Sequence, residues 1–166
     1  MASEAVSLAE VQGECEIVVM RIFDAPREMV FDAWADPKQL VQWFGPEGFT
    51  TTIESFDFRE GGEWLQVMHG PDGTNYPCTA LFTEVTPPEV IAYFNRGGRE
   101  GEAEVEFHST ATFEEVSGDR TRLTIRMEFP SAEERDENVR RYGSIEGGRQ
   151  TLIRLADFLT KKGVAA

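Results

Sequence analysis

The sequence predicts an α+β domain in which a closed, curved antiparallel sheet of six or seven strands wraps around a long C-terminal helix. Three observations carry this. A run of alternating segments occupies the middle of the chain, helical spacing brackets that run on both sides, and Pro/Gly-rich breaks separate its segments at short intervals. At 166 residues the chain is long enough to bury a core without metal or disulfide staples.

Residues 1–14 hold no sustained period and are expected to form a loose extension, leaving residues 15–162 as the domain. Residues 15–23 (CEIVVMRIF) are β-branched and apolar and predict the first strand. Asp24-Ala25-Pro26 stops it, and Met29, Val30, Ala33 and Trp34 then recur at helical spacing. A second short helix opens at Asp36, where Pro37 follows and Gln39 completes a capping-box pattern, and Gly45-Pro46 ends it.

From residue 49 the period becomes two. Strands are expected over residues 49–57, 62–70, 75–86, 89–96, 104–116 and 119–129. Turn chemistry separates them at Gly61-Gly62, Pro71-Asp72-Gly73, Pro87-Pro88, Gly97-Gly98 and Ser117-Gly118. Val105, Phe107, Ala111 and Phe113 share one face, as do Leu123, Ile125, Met127 and Phe129, so each strand should bury one side and wet the other. After Pro130, Ser131 and Glu134 form a second capping box, and acidic residues fill the first turn as the helix dipole prefers. Helical sequence continues to Lys161-Lys162 and Gly163, and Gly143 offers a break in it. Ile145, Gly148, Leu152, Leu155 and Leu159 make the stripe expected to meet the sheet.

Charge and composition exclude several partners. A net charge of −14 would repel a phosphate backbone, so neither nucleic acid nor an anionic membrane surface is expected to bind. The acidic clusters read first as a solvated surface, with a basic protein partner as the sharper alternative, and a homodimer stands as a separate expectation. No apolar run is long enough to insert in a membrane, and the N-terminal segment lacks signal-peptide character, so the cytoplasm is the expected compartment. Cys15 and Cys78 fall inside predicted strands and read as free thiols, a disulfide or a nucleophile being the less favoured alternatives. With two histidines and no ligand-spaced Cys/His string, neither a metal nor another cofactor is expected.

Several strings together resemble a known family. They are Arg21-Ile22-Phe23-Asp24-Ala25-Pro26 with Val30 and Phe31, Trp43-Phe44-Gly45-Pro46, and Asp57-Phe58-Arg59-Glu60-Gly61-Gly62-Glu63-Trp64 with Tyr76. Later come Ser131-Ala132-Glu133-Glu134-Arg135 and Glu146-Gly147-Gly148-Arg149-Gln150-Thr151-Leu152. In order and spacing the chain resembles the START-like (SRPBCC) superfamily, and within it the bacterial homologues of the activator of heat-shock-protein-90 ATPase. The resemblance implies a helix-grip fold, a sheet gripping the C-terminal helix. Most of these strings shape turns and packing rather than supply chemistry.

A concave sheet facing that helix would enclose a pocket. Strand parity and the helix stripe nominate Phe44, Trp64, Met68, Tyr76, Phe82, Tyr93, Phe107, Met127, Tyr142, Ile145 and Gly148 as its lining, a set suited to a small apolar molecule. Gly148 lies on the sheet-facing stripe, where glycine serves either close packing or room for a guest. His69, His108, Asn95, Asp57, Glu146 and Arg149 are the polar residues that could project inward. No nucleophile elbow, phosphate loop or triad is present, so binding or carriage of a hydrophobic ligand is the leading expectation. The superfamily resemblance implies two alternatives. One is a cyclase- or hydrolase-type enzyme with an inward acid–base pair drawn from Tyr76, His69 or Glu146, and the other is a chaperone-associated interaction module.

Overall fold

Period-two patterning decides which face of each strand is buried, and the computed structural model, which describes residues 7–165, follows that pattern through the sheet. The elements in chain order are β1 (Ser7–Gln12), β2 (Glu16–Phe23), α1 (Arg27–Ala35), α2 (Pro37–Leu40), β3 (Thr50–Phe56), β4 (Glu63–His69), β5 (Asn75–Thr86), β6 (Val90–Gly97), β7 (Val105–Val116), β8 (Arg120–Glu128), α3 (Ala132–Tyr142) and α4 (Ser144–Ala165). The strands form one antiparallel sheet in the order β1-β2-β8-β7-β6-β5-β4-β3. The α+β class and the grip of the sheet on the C-terminal helix stand as expected.

Two expectations need correction. The sheet has eight strands rather than six or seven, and it is open, with β1 and β3 as its edges. The additional strand comes from the segment expected to be loose. Ser7–Gln12 pairs with β2 from Ser7↔Arg21 to Gln12↔Glu16, while residues 1–6 lie outside the described residues. Cys15 accordingly sits in the turn between β1 and β2 rather than inside a strand.

Tertiary contacts secure that turn. The Arg135 guanidinium, 8% exposed, donates through Nη1 to the carbonyls of Gln12 (3.3 Å), Gly13 (3.4 Å) and Glu16 (3.2 Å), and through Nε to Asp136 (2.8 Å). One side chain on α3 thus satisfies carbonyls on both strands of the hairpin. Ser131 caps α3 by accepting from Glu134 N at 3.1 Å, as its capping-box pattern predicts. At Asp36 the cap differs in detail. Its carboxylate accepts from Lys38 N (3.0 Å) and from the Gln39 side-chain amide (3.2 Å).

The sheet bends at two irregularities, between Ile53 and Ser55 in β3 and between Phe82 and Glu84 in β5. One end of its concave face is filled by aromatic side chains from α1, the turn after α2 and the strands. Trp34 lies 5.2 Å from Trp43 and 6.1 Å from Phe113, and Phe31 lies 5.2 Å from Phe113, all edge-on. Trp43 is fully buried, and its Nε1–H is satisfied by Ala33 O at 3.1 Å. Leu152, Leu155 and Leu159 of α4 join the same core. Gly143, in the left-handed conformation at φ 59°, ends α3 and lets α4 leave in a new direction.

Replacing Arg135 by Ala should cost about 2 kcal/mol in urea unfolding, because it removes a buried guanidinium that bonds three carbonyls of the hairpin. Amide exchange should quicken in β1 before it quickens in β7. A loss below about 0.5 kcal/mol would mean that the hairpin holds without the clamp.

Candidate ligand-binding cavity

Inward-facing residues of the central strands run in rows across the sheet, and one row is built of short side chains at its centre. Gln66 pairs with Cys78, Cys78 with Gly97, and Gly97 with Val105. A Cβ at Gly97 would lie 2.4 Å from Pro77 O and 2.8 Å from Cys78 Cα, so only glycine allows β6 to approach β5 this closely. The low floor over Cys78 and Gly97 leaves a cavity of about 270 Å³. Across from it, α4 presents Ser144, Gly147, Gly148 and Thr151, a stripe at helical spacing with no bulky member.

Eight of the nominated residues line the cavity: Phe44, Met68, Tyr76, Tyr93, Phe107, Met127, Tyr142 and Gly148. Three do not. Trp64 and Phe82 have the correct parity but lie at the filled end, stacked 6.0 Å apart at 12° and packed against Phe56, with Phe58 also against Phe82. Ile145 is half-buried and lies outside the lining, because it is one residue, about 100° of rotation, off the stripe that starts at Ser144. Val19, Trp34, Gln66, Cys78, Ser109 and Ile125 line the cavity without having been nominated. Parity alone would have found Gln66 and Cys78, each two residues from a nominated neighbour.

Of the polar candidates, only Asn95 lines the cavity. His69 and His108 have the opposite parity to Met68 and Phe107. His69 bonds Asn75 (2.8 Å) and Thr52 (2.9 Å), and His108 bonds Thr83 (2.8 Å). Glu146 and Arg149 pair with each other at 2.5 Å, and Asp57 pairs with Arg59 at 2.9 Å. Gly148 reconciles the two roles proposed for it. It lines the cavity, yet a Cβ there would meet Val19 Cγ2 at 3.0 Å and Cγ1 at 3.2 Å.

The lining contains no Asp, Glu, Lys, Arg or His. Burial pushes the Cys78 thiol up to about 11, partly offset by a hydrogen bond from Gly98 N–H. Burial also raises the Tyr93 phenol well above its usual range, against a smaller opposing effect from its bond to Ser109. Both groups are therefore neutral at pH 7. Asn95 Nδ2 donates to Ser109 Oγ at 3.2 Å, and Gln66 Oε1 accepts from Trp64 Nε1 at 3.0 Å. Charge gathers at one side of the rim instead. The Arg99 guanidinium stands 5.8 Å from the Tyr76 ring and 5.6 Å from the Tyr142 ring, and Glu102 receives both Arg99 (2.8 Å) and Arg141. Among the described residues no three His, Cys, Asp or Glu side chains are grouped to hold a metal.

The Gly148–Val19 contact should behave as a coupled pair. Gly148→Ala together with Val19→Ala should be about 1 kcal/mol more stable than the sum of the single changes, read by thermal or urea unfolding. Strict additivity would show that the contact does not set the helix position. In a Cys15→Ser background, Cys78 should react with iodoacetamide at pH 8 roughly a hundredfold more slowly than a free thiol of pKa ~8.5, accelerating as pH approaches 11. Because the unfolded chain gives up this proton first, the thiol's contribution to stability is present below pH ~9 and is lost as pH rises toward 11. Rapid alkylation at pH 8 would contradict its burial.

No described helix is long and apolar enough to cross a membrane. No curated protein matches the chain. Among solved structures, a solution structure of a protein from Arthrobacter aurescens is 28% identical and superposes with a TM-score of 0.85, covering 95% of this chain and 93% of that one. Protein Ms6760 from Mycobacterium smegmatis is 27% identical with a TM-score of 0.79, covering 92% and 99%. Protein CV1439 from Chromobacterium violaceum is 28% identical with a TM-score of 0.72, covering 86% and 94%. The family described as Activator of Hsp90 ATPase homolog 1-like protein matches residues 24–160, from α1 through β3–β8 and most of the C-terminal helix, and the chain belongs to that family.

Proposed function

We propose that this protein binds a small, predominantly apolar molecule between the sheet and α4. The observation that carries the reading is an apolar cavity of about 270 Å³ walled by Phe44, Met68, Phe107, Ile125 and Met127, with few polar groups among them. Its volume lies just below the roughly 300–1,000 Å³ of typical small-molecule sites, so the guest is small. Flexible methionines on two opposite strands of the lining suit a guest whose shape varies.

Binding is favoured over catalysis by where the acid–base candidates stand. His69 and Glu146 lie outside the lining, and Tyr76 alone of the three is in it. Binding is favoured over a broad protein-docking face by the surface. Val11 (43% exposed) and Leu81 (44%) are the large exposed apolar residues among those described, and they lie on β1 and β5, far apart in the sheet order.

Cys78→Phe tests the proposal by filling the floor of the cavity. N-phenylnaphthylamine fluorescence should report at least tenfold weaker binding, while the melting temperature falls by no more than a few degrees. Native mass spectrometry of the wild-type chain should detect a small-molecule adduct that Cys78→Phe lacks. Equal probe affinity in the two proteins, both folded, would remove the cavity as the binding site.

A further inference from the structure

We infer that Gln66 anchors the guest through the two hydrogens of its side-chain amide, so that the ligand is an uncharged apolar molecule carrying a carbonyl-type acceptor. This rests on the cavity-binding reading above and adds the chemistry of the guest. A primary amide can turn either end toward a neighbour, but here one orientation is forced. The Trp64 indole N–H is a donor only, its residue is 2% exposed, and the Gln66 Oε1 at 3.0 Å accepts from it. Flipping the amide would set two donors against each other. The amide orientation is therefore fixed, with one lone pair of Oε1 engaged and both hydrogens of Nε2 left unmatched.

Gln66 is 7% exposed and lines the cavity, and among the described residues no protein group accepts from its Nε2. Its row neighbours, Cys78 and Gly97, are too short to cover it. Asn95 and Ser109 differ, because they bond each other and either could turn its proton the other way. The Trp34 indole N–H also lacks a partner, but its nitrogen is itself fully buried, whereas Gln66 presents a fixed, unmatched donor at the cavity wall. A guest that covers this donor without matching it incurs a cost, and a guest that supplies an acceptor avoids that cost.

The lining decides the charge of the acceptor. A carboxylate would satisfy the amide, but with no cationic side chain among the lining residues its charge would be stripped of water without a counter-charge. A hydrocarbon would be desolvated cheaply but would leave Nε2 unmatched. A ketone, ester or lactone on an apolar body meets both conditions.

Three probes of similar shape separate these cases by isothermal titration calorimetry on the full chain. Acetonaphthone carries the carbonyl, isopropenylnaphthalene replaces its oxygen by a methylene, and naphthoate carries a charge. The ketone should bind about tenfold more tightly than the alkene. At neutral pH naphthoate should bind most weakly. Gln66→Met should bring the ketone-to-alkene ratio to about one. Because that change also strips Trp64 of its acceptor, the double variant Trp64→Phe/Gln66→Met removes both partners together and should show the same loss of preference. Should neither variant fold, the wild-type ratio decides alone. Equal binding of ketone and alkene by the wild type, or a ketone preference that survives either variant, would overturn the role of Gln66 and leave the cavity reading standing. Tightest binding of naphthoate would overturn the uncharged class. Binding of none of the three would overturn the cavity reading itself.

Discussion

Gly148 brings α4 into van der Waals contact with Val19 on β2, and the helix pivots about that point between a packed half and an open half. C-terminal to it, Leu152, Leu155 and Leu159 are buried in the core. Toward the N-terminus, Ser144, Gly147 and Gly148 are too small to reach across to β5 and β6, and space remains. A bulkier residue at the pivot would lift the helix, loosening the leucine contacts and changing the cavity together. Glycine inside a helix costs roughly 1 kcal/mol relative to alanine, and the leucine packing it permits offsets that cost.

Charge is partitioned as sharply as volume. The chain carries a net −14, yet every acidic and basic side chain lies outside the cavity lining. Ion pairs such as Arg126–Glu16 and Arg96–Glu106 occupy the opposite face of the strands, where water screens them and each contributes little. Facing the helix, the sheet offers amide, hydroxyl, thiol and phenol groups, all neutral; Asn95 and Ser109 bond each other, and the Trp64 indole fixes the orientation of Gln66. Strand parity performs this sorting.

Much of this was legible in the residues because parity and caps are local. The extent of β5 was read correctly at both ends, since Pro71-Asp72-Gly73 and Pro87-Pro88 punctuate it. The edge strand β1 was not legible. Its residues SLAEVQ hold only a weak alternation, and what secures them is Arg135, more than a hundred positions away. The cavity lining was read through the same parity, which places a side chain on a face but says nothing of its position along the strand. Trp64 and Phe82 therefore joined the list although the aromatic cluster at the other end claims them. Gln66 was passed over as polar, yet its parity matched that of Met68.

The connectivity of the sheet has a kinetic side. From β3 to β8 each strand pairs with its successor, so these hairpins can form from neighbouring segments at small entropic expense. Only β2 must cross to β8, joining Phe23 to Thr121, and it brings β1 with it. Long loops of this kind close slowly and gain their reward late. Val19, the residue on which α4 rests, belongs to that late strand. A nascent chain thus acquires most of its sheet before the helix has its seat, and the ligand cavity is completed near the end of folding.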